Sequence, residues 1–248
     1  EVQPSVLDYF EAHKFPAVRQ SGLYPNRKIH CVCSDAFHEA YVGTAHLLNH
    51  GRSRIAFIRG PALPLNDEAA AGYRLALEEA LGPKGAEPVI RESEFGRESG
   101  RRLMEELLRE HPGLTAVQCC EDMVALGAWD VLRAAGRRVP GDFALIGSGN
   151  FEAWLGLEPS LTTFDVGFEA TSRCAAEILL RLIDGEADVP LHTIRRPRLI
   201  VRRSCGCPPA TGDGARREGL RSAAPAGLLA GAPGDSAGAV PAAPLDKA

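Results

Sequence analysis

The segment Glu121-Asp122-Met123-Val124-Ala125-Leu126-Gly127-Ala128 places two adjacent carboxylates where an apolar run, 116–120, gives way to a helical pattern. The predicted helix, about 122–135, carries apolar side chains at the i, i+3, i+4 and i+7 positions of one face. These side chains are Ala125, Ala128, Trp129 and Leu132. Carboxylates at such a junction lie at the carboxyl end of a strand, where open parallel α/β sheets bind ligands. The segment therefore predicts a polar ligand site at a sheet edge.

The same alternation of strand and helix runs through most of the chain. Continuous apolar strands between helical segments predict an α/β fold, in which parallel sheets are covered on both faces. We expect strands near 15–19, 29–33, 55–58, 88–91, 114–119, 143–147, 189–194 and 198–202, a short extended piece at 162–165, and helices near 37–50, 67–81, 98–110, 122–135 and 169–183. Asn66 is the predicted N-cap of the 67–81 helix, because its side chain can accept a free helical N–H.

Composition excludes several classes of function. The 248 residues carry 28 Lys and Arg against 32 Asp and Glu, a formal net charge of −4, so no basic surface for nucleic acid is expected within them. No apolar run approaches the ~20 residues that cross a bilayer, so we expect no membrane partner. The seven cysteines are typical of small buried side chains in a reducing compartment, which predicts a cytoplasmic protein. Because the chain opens with Glu1, we expect a segment of a longer or processed protein.

Metal and catalytic patterns are weak. Cys31 and Cys33, like Cys205 and Cys207, have C-x-C spacing rather than the C-x₂₋₄-C of zinc sites. The pair His46 and His50 lacks the glutamate of H-E-x-x-H, and no histidine has the spacing of a catalytic triad with Ser or Cys. Neither a P-loop nor a G-x-G-x-x-G motif is present. The sequence thus predicts no enzyme, no cofactor and no metal site.

Seven motifs follow one another in an order that resembles the ligand-binding domain of lac-repressor/galactose-repressor transcription regulators. The resemblance extends over roughly residues 16–204 and includes the (N/D)-D-x-x-A-x-G-A pattern at Glu121. The motifs are Val32-Cys33-Ser34-Asp35, Ala45 to Ala56, Gly72 to Leu77, Glu121 to Ala128, Gly136 to Gly147, Pro159 to Thr163 and Arg198 to Ser204. It implies a two-subdomain, periplasmic-binding-protein-like fold, with three strands crossing near 35, 162–163 and 195–196.

This resemblance also implies a division of the chain. Residues 35–162 and 196–205 form a complete second subdomain, whereas 1–34 and 163–195 form a first subdomain that lacks its opening strand-helix units. The chain also lacks the helix-turn-helix that precedes such domains. Residues 206–248, rich in Ala, Gly and Pro, are expected to be disordered. Since an incomplete sheet exposes an edge and apolar faces, we expect poor solubility or a partner that covers the gap.

In this family the ligand lies in the cleft between the subdomains, and acceptors for sugar hydroxyls come from the strand ends. Asp122 and Glu121 match the acceptor pair, although the family more often has Asn or Asp at 121; the alternative is that Asp122 only caps its helix. Phe95 matches an aromatic residue that stacks on the ligand, with core packing as the alternative. Asp35 matches an acidic residue at the first crossing and either binds ligand or caps the next helix.

Two further candidates and two departures lie in or near the same cleft. Asn150 stands beside the family's acidic pair, of which the first member is here Gly149. Trp154 follows in the same loop and either lines the cleft or fills an interface. Ala69 stands where the family commonly has an arginine, and loss of such a charged donor typically weakens binding by about 1.5–3 kcal/mol. The ligand is therefore an unusual one, or is bound weakly, or the site has decayed.

The resemblance predicts the effector-sensing domain of a cytoplasmic, homodimeric transcription regulator whose small-molecule effector is expected to be a sugar. Contact with DNA would be made only by a helix-turn-helix absent from these residues. Three alternatives stay open. The ending Arg202 to Cys207 is similar to that of sensor modules in signalling proteins, a secreted sugar-binding protein would need a signal peptide upstream, and a non-functional remnant would explain the departures.

Overall fold

The computed structural model describes residues 4–20, 27–83, 87–151 and 158–207. Six helices and nine strands lie within these ranges. The helices are α1 (Pro4–Ala12), α2 (Ala36–Asn49), α3 (Pro64–Leu81), α4 (Gly96–Glu110), α5 (Asp122–Ala134) and α6 (Phe168–Ile183). The strands are β1 (Val18–Gln20), β2 (His30–Ser34), β3 (Ile55–Arg59), β4 (Val89–Glu92), β5 (Ala116–Cys119), β6 (Ala144–Ser148), β7 (Thr162–Asp165), β8 (His192–Arg195) and β9 (Arg198–Ile200). Trp154 and the segment from 208 onward, including most of the predicted disordered tail, lie outside the described residues.

The strands form two sheets, which confirms the predicted α/β fold with parallel sheets. The smaller sheet has the order β1-β2-β8 and the larger one the order β4-β3-β5-β6-β7-β9. Every pairing is parallel except that of β7 with β9, which is antiparallel. The exception has a topological cause. β9 enters the larger sheet directly from the carboxyl end of β8, at the edge where β7 ends, so it must run in the opposite direction.

The start of α3 differs from the prediction. The helix begins at Pro64, and Leu63 occupies the N-cap position without a side-chain hydrogen bond. Proline is favoured in the first helical turn because its missing N–H has no partner there anyway. Asn66 is therefore not the cap, and its side-chain amide donates instead to the Pro61 carbonyl at 2.7 Å. Helix α1 was not predicted from the sequence.

The larger sheet is covered on both faces by helix pairs. Alternate residues along β3 point in opposite directions, as the period of two of a strand requires. Ala56 and Ile58 pack with α4 and α5, whereas Ile55 and Phe57 pack with α2 and α3. Tyr73 of α3 fixes one of these layers, because its hydroxyl donates to the Ile55 carbonyl at 2.7 Å. Two filled cores on one sheet give the strand ends a rigid support.

The smaller sheet has a smaller core and leaves more apolar surface exposed. Its buried centre consists of Val32 on β2 with Ala175 and Ile178 on α6. Leu180 and Ile183 of the same helix are 61% and 60% exposed. Three segments connect the two sheets: β2 to α2, β7 to α6, and β8 to β9. Among the described helices, none combines the length and apolar character needed to cross a membrane.

Candidate functional site

The predicted site residues lie at the carboxyl edge of the larger sheet, after three of its parallel strands. Phe95 follows β4, Glu121 and Asp122 follow β5, and Asn150 follows β6. Asp35 follows β2 of the smaller sheet and begins α2, which packs on the larger sheet. The carboxyl edge of an open parallel sheet is the usual position of a ligand site. Trp154, the sixth predicted residue, lies outside the part of the chain that is described.

Asp122 is almost completely buried and anchors the segment that follows β6. It is 1% exposed; Oδ1 accepts a hydrogen bond from the Thr163 hydroxyl at 2.5 Å, and Oδ2 accepts one from the Phe151 amide at 3.2 Å. Burial raises the pKa of Asp122, and these hydrogen bonds oppose that shift. Asp122 is the first residue of α5 rather than its N-cap, and its carboxylate bonds to other segments.

Glu121 connects the carboxyl ends of β5 and β4. It occupies the N-cap position of α5, but its carboxylate accepts a hydrogen bond from the Gly96 amide at the start of α4. Phe95, directly before Gly96, has a φ of 65°, which is uncommon for a residue with a side chain. Its ring is 46% exposed, so it does not belong to the core. An exposed ring therefore stands next to Glu121.

Asn150 belongs to a hydrogen-bonded group that includes Arg202. Its side-chain oxygen accepts from the Arg202 guanidinium at 2.6 Å, and its backbone amide donates to the Thr163 hydroxyl at 3.4 Å. Arg202 also donates to the Leu161 carbonyl at 2.8 Å. The sequence analysis did not single out Thr163 or Arg202 as site residues. Their only signal was membership in motifs of the resemblance, because nothing local indicates that residues so distant in sequence meet Asp122.

Asp35 caps the helix that follows it, which is one of the two roles that the sequence left open. Its Oδ1 accepts from the His38 amide at 2.9 Å, which makes it the N-cap of α2. Its Oδ2 lies 3.8 Å from Arg196 Nε, in the segment between β8 and β9. The preceding hydroxyl, Ser34 Oγ, is buried and has no hydrogen-bond partner among the described residues. Such a group needs an external donor or acceptor, because leaving it unpaired costs free energy.

Glu39 is a site residue that the sequence analysis missed. It lies in the first turn of α2 and hydrogen-bonds to Ser148, the last residue of β6. Burial, together with the charges of Asp122 and Asp35, raises the pKa of Glu39 to about 7, and the hydrogen bond to Ser148 opposes that shift. At neutral pH the carboxyl is thus divided between its protonated and ionised forms. A protonated carboxyl can donate a hydrogen bond, which an ionised one cannot.

The electrostatic balance of this edge is negative. Burial and the charge of Asp35 raise the pKa of Glu68, on the first turns of α3. The positive charge of Arg196 partly opposes this balance. Burial lowers the pKa of His38, and the charge of Arg196 has a smaller effect in the same direction. Carboxylates held this close favour neutral hydroxyl donors or cations over anionic ligands. The edge is therefore chemically suited to a ligand rich in hydroxyl groups.

Two exposed aromatic rings stand beside the acceptors. Phe151 and Phe168 stack with ring centroids 5.5 Å apart and planes at 21°, and they are 44% and 53% exposed. Phe151 follows β6, whereas Phe168 begins α6 after the chain has left the larger sheet. The sequence analysis named Phe95 as the aromatic candidate and missed this pair. The one sequence signal for Phe151 and Phe168 was that each phenylalanine lies just beyond the end of a strand.

Arg59 does not supply the arginine that the family commonly has at the position of Ala69. Ala69 is buried against the core of α2 and α3. Arg59, at the end of β3, is held by Asp67 at 2.5 Å and Glu92 at 2.8 Å. Arg59 also lines a surface hollow of about 530 Å³ along α3 and β4. That hollow includes none of the predicted ligand residues, so it is separate from the acceptor cluster.

Comparison with known proteins agrees with this fold. A family model described as a periplasmic binding protein-like domain matches residues 44–205. The regulator CelR of Thermobifida fusca is 34% identical over 181 residues, 73% of this chain and 53% of the relative. The repressor PurR of Escherichia coli O1:K1 / APEC is 35% identical over 175 residues, 70% of this chain and 51% of the relative. A solved structure, the transcriptional regulator CelR-cellobiose complex, superimposes with a TM-score of 0.69 at 31% identity, covering 75% of this chain and 58% of that one.

The two-sheet fold with acceptors on its carboxyl edge is that of the periplasmic-binding-protein-like class. Since the family model matches well over half of the chain, the chain belongs to the effector domains of the lac-repressor/galactose-repressor family of transcription regulators. It spans about half the length of the curated relatives that it matches. These relatives are transcription regulators and not enzymes.

Proposed function

We propose that this chain is the sensing domain of a bacterial transcription regulator and that it binds a small neutral polyol, a sugar, at the carboxyl edge described above. The observation that carries the proposal is the convergence of Asp35, Glu39, Glu121 and Asp122 on that edge, next to exposed aromatic rings. Carboxylates accept hydrogen bonds from sugar hydroxyls, and aromatic faces pack against the C–H groups of a sugar ring.

The proposed mechanism is a change in how the two halves close on each other. In our proposal residues 1–34 and 163–195 move as one subdomain, and residues 35–162 and 196–205 move as the other. A ligand that contacts Asp122 of the second half together with Phe168 of the first would bind the closed arrangement better than the open one. It would shift the equilibrium only by its difference in affinity for the two arrangements. Phe151 and Phe168 would then come from opposite halves.

Asp122 needs a rearrangement before it can accept from a ligand. Asp122 is 1% exposed and its two oxygens already accept from Thr163 and Phe151, so we infer that a ligand replaces one of these bonds. The Phe151 amide, with its longer bond of 3.2 Å, is the easier one to displace. Glu39 and Glu121 have exposed fractions larger than that of Asp122 and would make the first contacts.

Calorimetric titration of the 248-residue chain with a panel of monosaccharides and disaccharides tests the proposal. The panel includes cellobiose, because a similar structure is the CelR-cellobiose complex. We expect one saccharide to bind with one site per chain. Loss of a hydrogen bond to a charged acceptor costs about 1.5–3 kcal/mol, so Glu121→Gln should weaken binding roughly 10- to 100-fold.

Glu105→Gln provides the matched control, since it removes an exposed carboxyl from α4 away from this edge. Its affinity should equal that of the parent chain. The proposal is wrong if no saccharide binds at millimolar concentration. Equal affinities of the Glu121→Gln and parent chains would leave sugar binding intact but move it away from this edge.

The wider role rests on the family. We propose that the whole protein is cytoplasmic, forms a homodimer, and controls transcription through a DNA-binding segment outside these residues. The names of the relatives support the DNA-binding part of this role, because both are helix-turn-helix regulators. Subdomain closure would be transmitted to DNA through the smaller sheet.

A further inference from the structure

Three potential metal ligands from distant parts of the chain meet at the far end of α2. Cys207 Sγ lies 3.4 Å from His46 Nε2 and 3.0 Å from His50 Nε2. The ligand atoms of the three side chains all lie within 4.8 Å of one another. Among the described residues this is the one group of three or more such side chains close enough to share an ion.

The spacing fits a tetrahedral Zn²⁺ ion. Zn–S bonds of about 2.3 Å and Zn–N bonds of about 2.0–2.1 Å, at tetrahedral angles, place ligand atoms about 3.5 Å apart. The two observed sulfur–nitrogen distances need only small adjustments to reach that value. Thiolate and imidazole are the ligands that zinc prefers over the oxygen donors used by magnesium and calcium.

The secondary structure prepares this arrangement. His46 and His50 are four residues apart, so their rings lie on the same side of α2, with centroids 4.6 Å apart. His50 is the C-cap of that helix, where the carbonyl ends of the peptide dipoles favour a cation. The Arg52 guanidinium lies nearby and would oppose a cation, but it is engaged with the Pro140 carbonyl at 2.6 Å.

The segment that carries Cys207 is held firmly. Ser204 Oγ donates to the Leu145 carbonyl at 2.6 Å and accepts from the Thr162 amide at 2.8 Å. Cys205 is completely buried. Gly206 has a φ of 95°, a conformation that favours glycine, and it reverses the chain so that Cys207 faces α2. Ligands on supported segments lose little entropy on binding a metal.

We propose that His46, His50 and Cys207 form a Zn²⁺ site with three protein ligands and a fourth position for water or another donor. The site is distinct from the sugar site. Asp35 and His46 stand at opposite ends of α2, about 16 Å apart along the helix. Bound zinc would fasten the segment after β9 to the end of α2. Binding converts the Cys207 thiol to a thiolate and releases its proton.

Neither the histidine pair nor Cys207 was predicted as a metal ligand from the sequence. Cys205 and Cys207 do not meet Cys31 and Cys33, because the latter two lie on β2 of the smaller sheet. The pair His46 and His50 looked accidental without a third ligand. Only the path of the chain after β9 brings Cys207, more than 150 residues later, to these rings.

Zn²⁺ and Co²⁺ titrations of the reduced 248-residue chain test the site. We expect one ion per chain after dialysis and, with Co²⁺, a thiolate-to-metal charge-transfer band with tetrahedral ligand-field bands. Cys207→Ser keeps a hydroxyl for the histidines but removes the soft ligand. It should abolish the charge-transfer band and weaken Zn²⁺ binding by at least about 100-fold.

Cys174→Ser is the matched control, because Cys174 is a half-buried thiol on α6. It should bind Co²⁺ as the parent chain does. If Cys207→Ser fails to fold, His50→Gln replaces an exposed ring and should also weaken Zn²⁺ binding. The proposal is overturned if the parent chain binds no stoichiometric metal, or if Cys207→Ser retains the charge-transfer band. In either case thiol–imidazole hydrogen bonds alone account for the contacts. Failure of the zinc proposal would leave the saccharide titration, which tests the sugar site, unaffected.

Discussion

At the scale of single residues, the site combines carboxyl groups with different degrees of burial. Asp122 is enclosed and hydrogen-bonded, whereas Asp35 caps a helix and approaches an arginine. Glu39 lies close enough to both for their charges to raise its pKa. Where carboxyl groups lie close together and partly shielded from water, one of them keeps its proton. Glu39 is therefore the group whose ionisation responds most directly to changes near neutral pH.

This shift predicts a pH dependence of stability. The pKa of Glu39 rises from its ordinary value of 4.5 to about 7 in the folded protein, so the folded state holds a proton that the unfolded state releases between these values. The contribution is complete below about pH 4.5 and is lost as the pH rises through 7. From pH 5 to pH 8, the unfolding free energy of the parent chain should fall by about 1–3 kcal/mol relative to Glu39→Gln.

Urea denaturation of the parent chain and the variant at several pH values measures this difference. The control Glu105→Gln should follow the pH trend of the parent chain. A gap between the parent chain and Glu39→Gln that stays constant from pH 5 to pH 8 would contradict the assignment of Glu39 as the perturbed carboxyl.

At the scale of elements, the layers on the larger sheet depend on close helix contacts. A Cβ at Gly127 of α5 would overlap the Arg97 carbonyl oxygen of α4, and one at Gly100 of α4 would overlap the Val124 carbonyl oxygen of α5. The two glycines thus let α4 and α5 approach backbone to backbone. This contact positions Gly96, whose amide holds Glu121. A packing feature away from this edge therefore fixes one of the proposed acceptors.

Gly127→Ala tests that contact. In an isolated helix the change would stabilise by about 1 kcal/mol, because alanine has the higher helix propensity. Here overlap with backbone that cannot move aside should reverse the sign and destabilise by about 1–3 kcal/mol. Gly141→Ala is the control, since a Cβ there meets only Arg138 at 3.5 Å or more. Chemical denaturation that finds Gly127→Ala more stable than the parent chain would contradict the close contact.

At the scale of the whole molecule, the two sheets differ in how completely they are buried. The larger one has helix pairs on both faces, whereas the described part of the smaller one has three strands and exposed apolar side chains. Ile194 of β8 and Tyr9 of α1 are 56% and 55% exposed, in addition to Leu180 and Ile183 of α6. Exposed apolar side chains in such numbers favour association. We expect this half to pair with a second copy.

Leu180→Glu combined with Ile183→Glu should therefore shift sedimentation toward the monomer at concentrations at which the parent chain associates. Charges on this helix face would have to be dehydrated in an interface, which costs free energy. Ala80→Glu with Ala134→Glu adds the same charge to exposed positions of α3 and α5 and should leave association unchanged. Equal association of all three proteins would show that α6 does not form the contact.

The sequence by itself determined the features that depend on local patterns. The 3.6-residue period of α5 and the apolar runs of β3 and β5 gave their positions within about two residues, because a helix buried on one face shows the helical period and a strand covered on both faces is apolar throughout. The ordered motifs predicted the family correctly. The local pattern predicted the wrong N-cap, Asn66, because the helix already begins two residues earlier at Pro64.

Tertiary structure alone decided which side chains meet. Glu39 entered the site because the first turn of α2 reaches Ser148 at the end of β6, and Thr163 and Arg202 lie near Asp122 although both are distant from it in sequence. The thiol of Cys207 met two histidines for the same reason. A hydrogen bond or ligand cluster depends on distance in space, and distance in space follows from strand order and the direction of β9. No local period of the sequence carries that information.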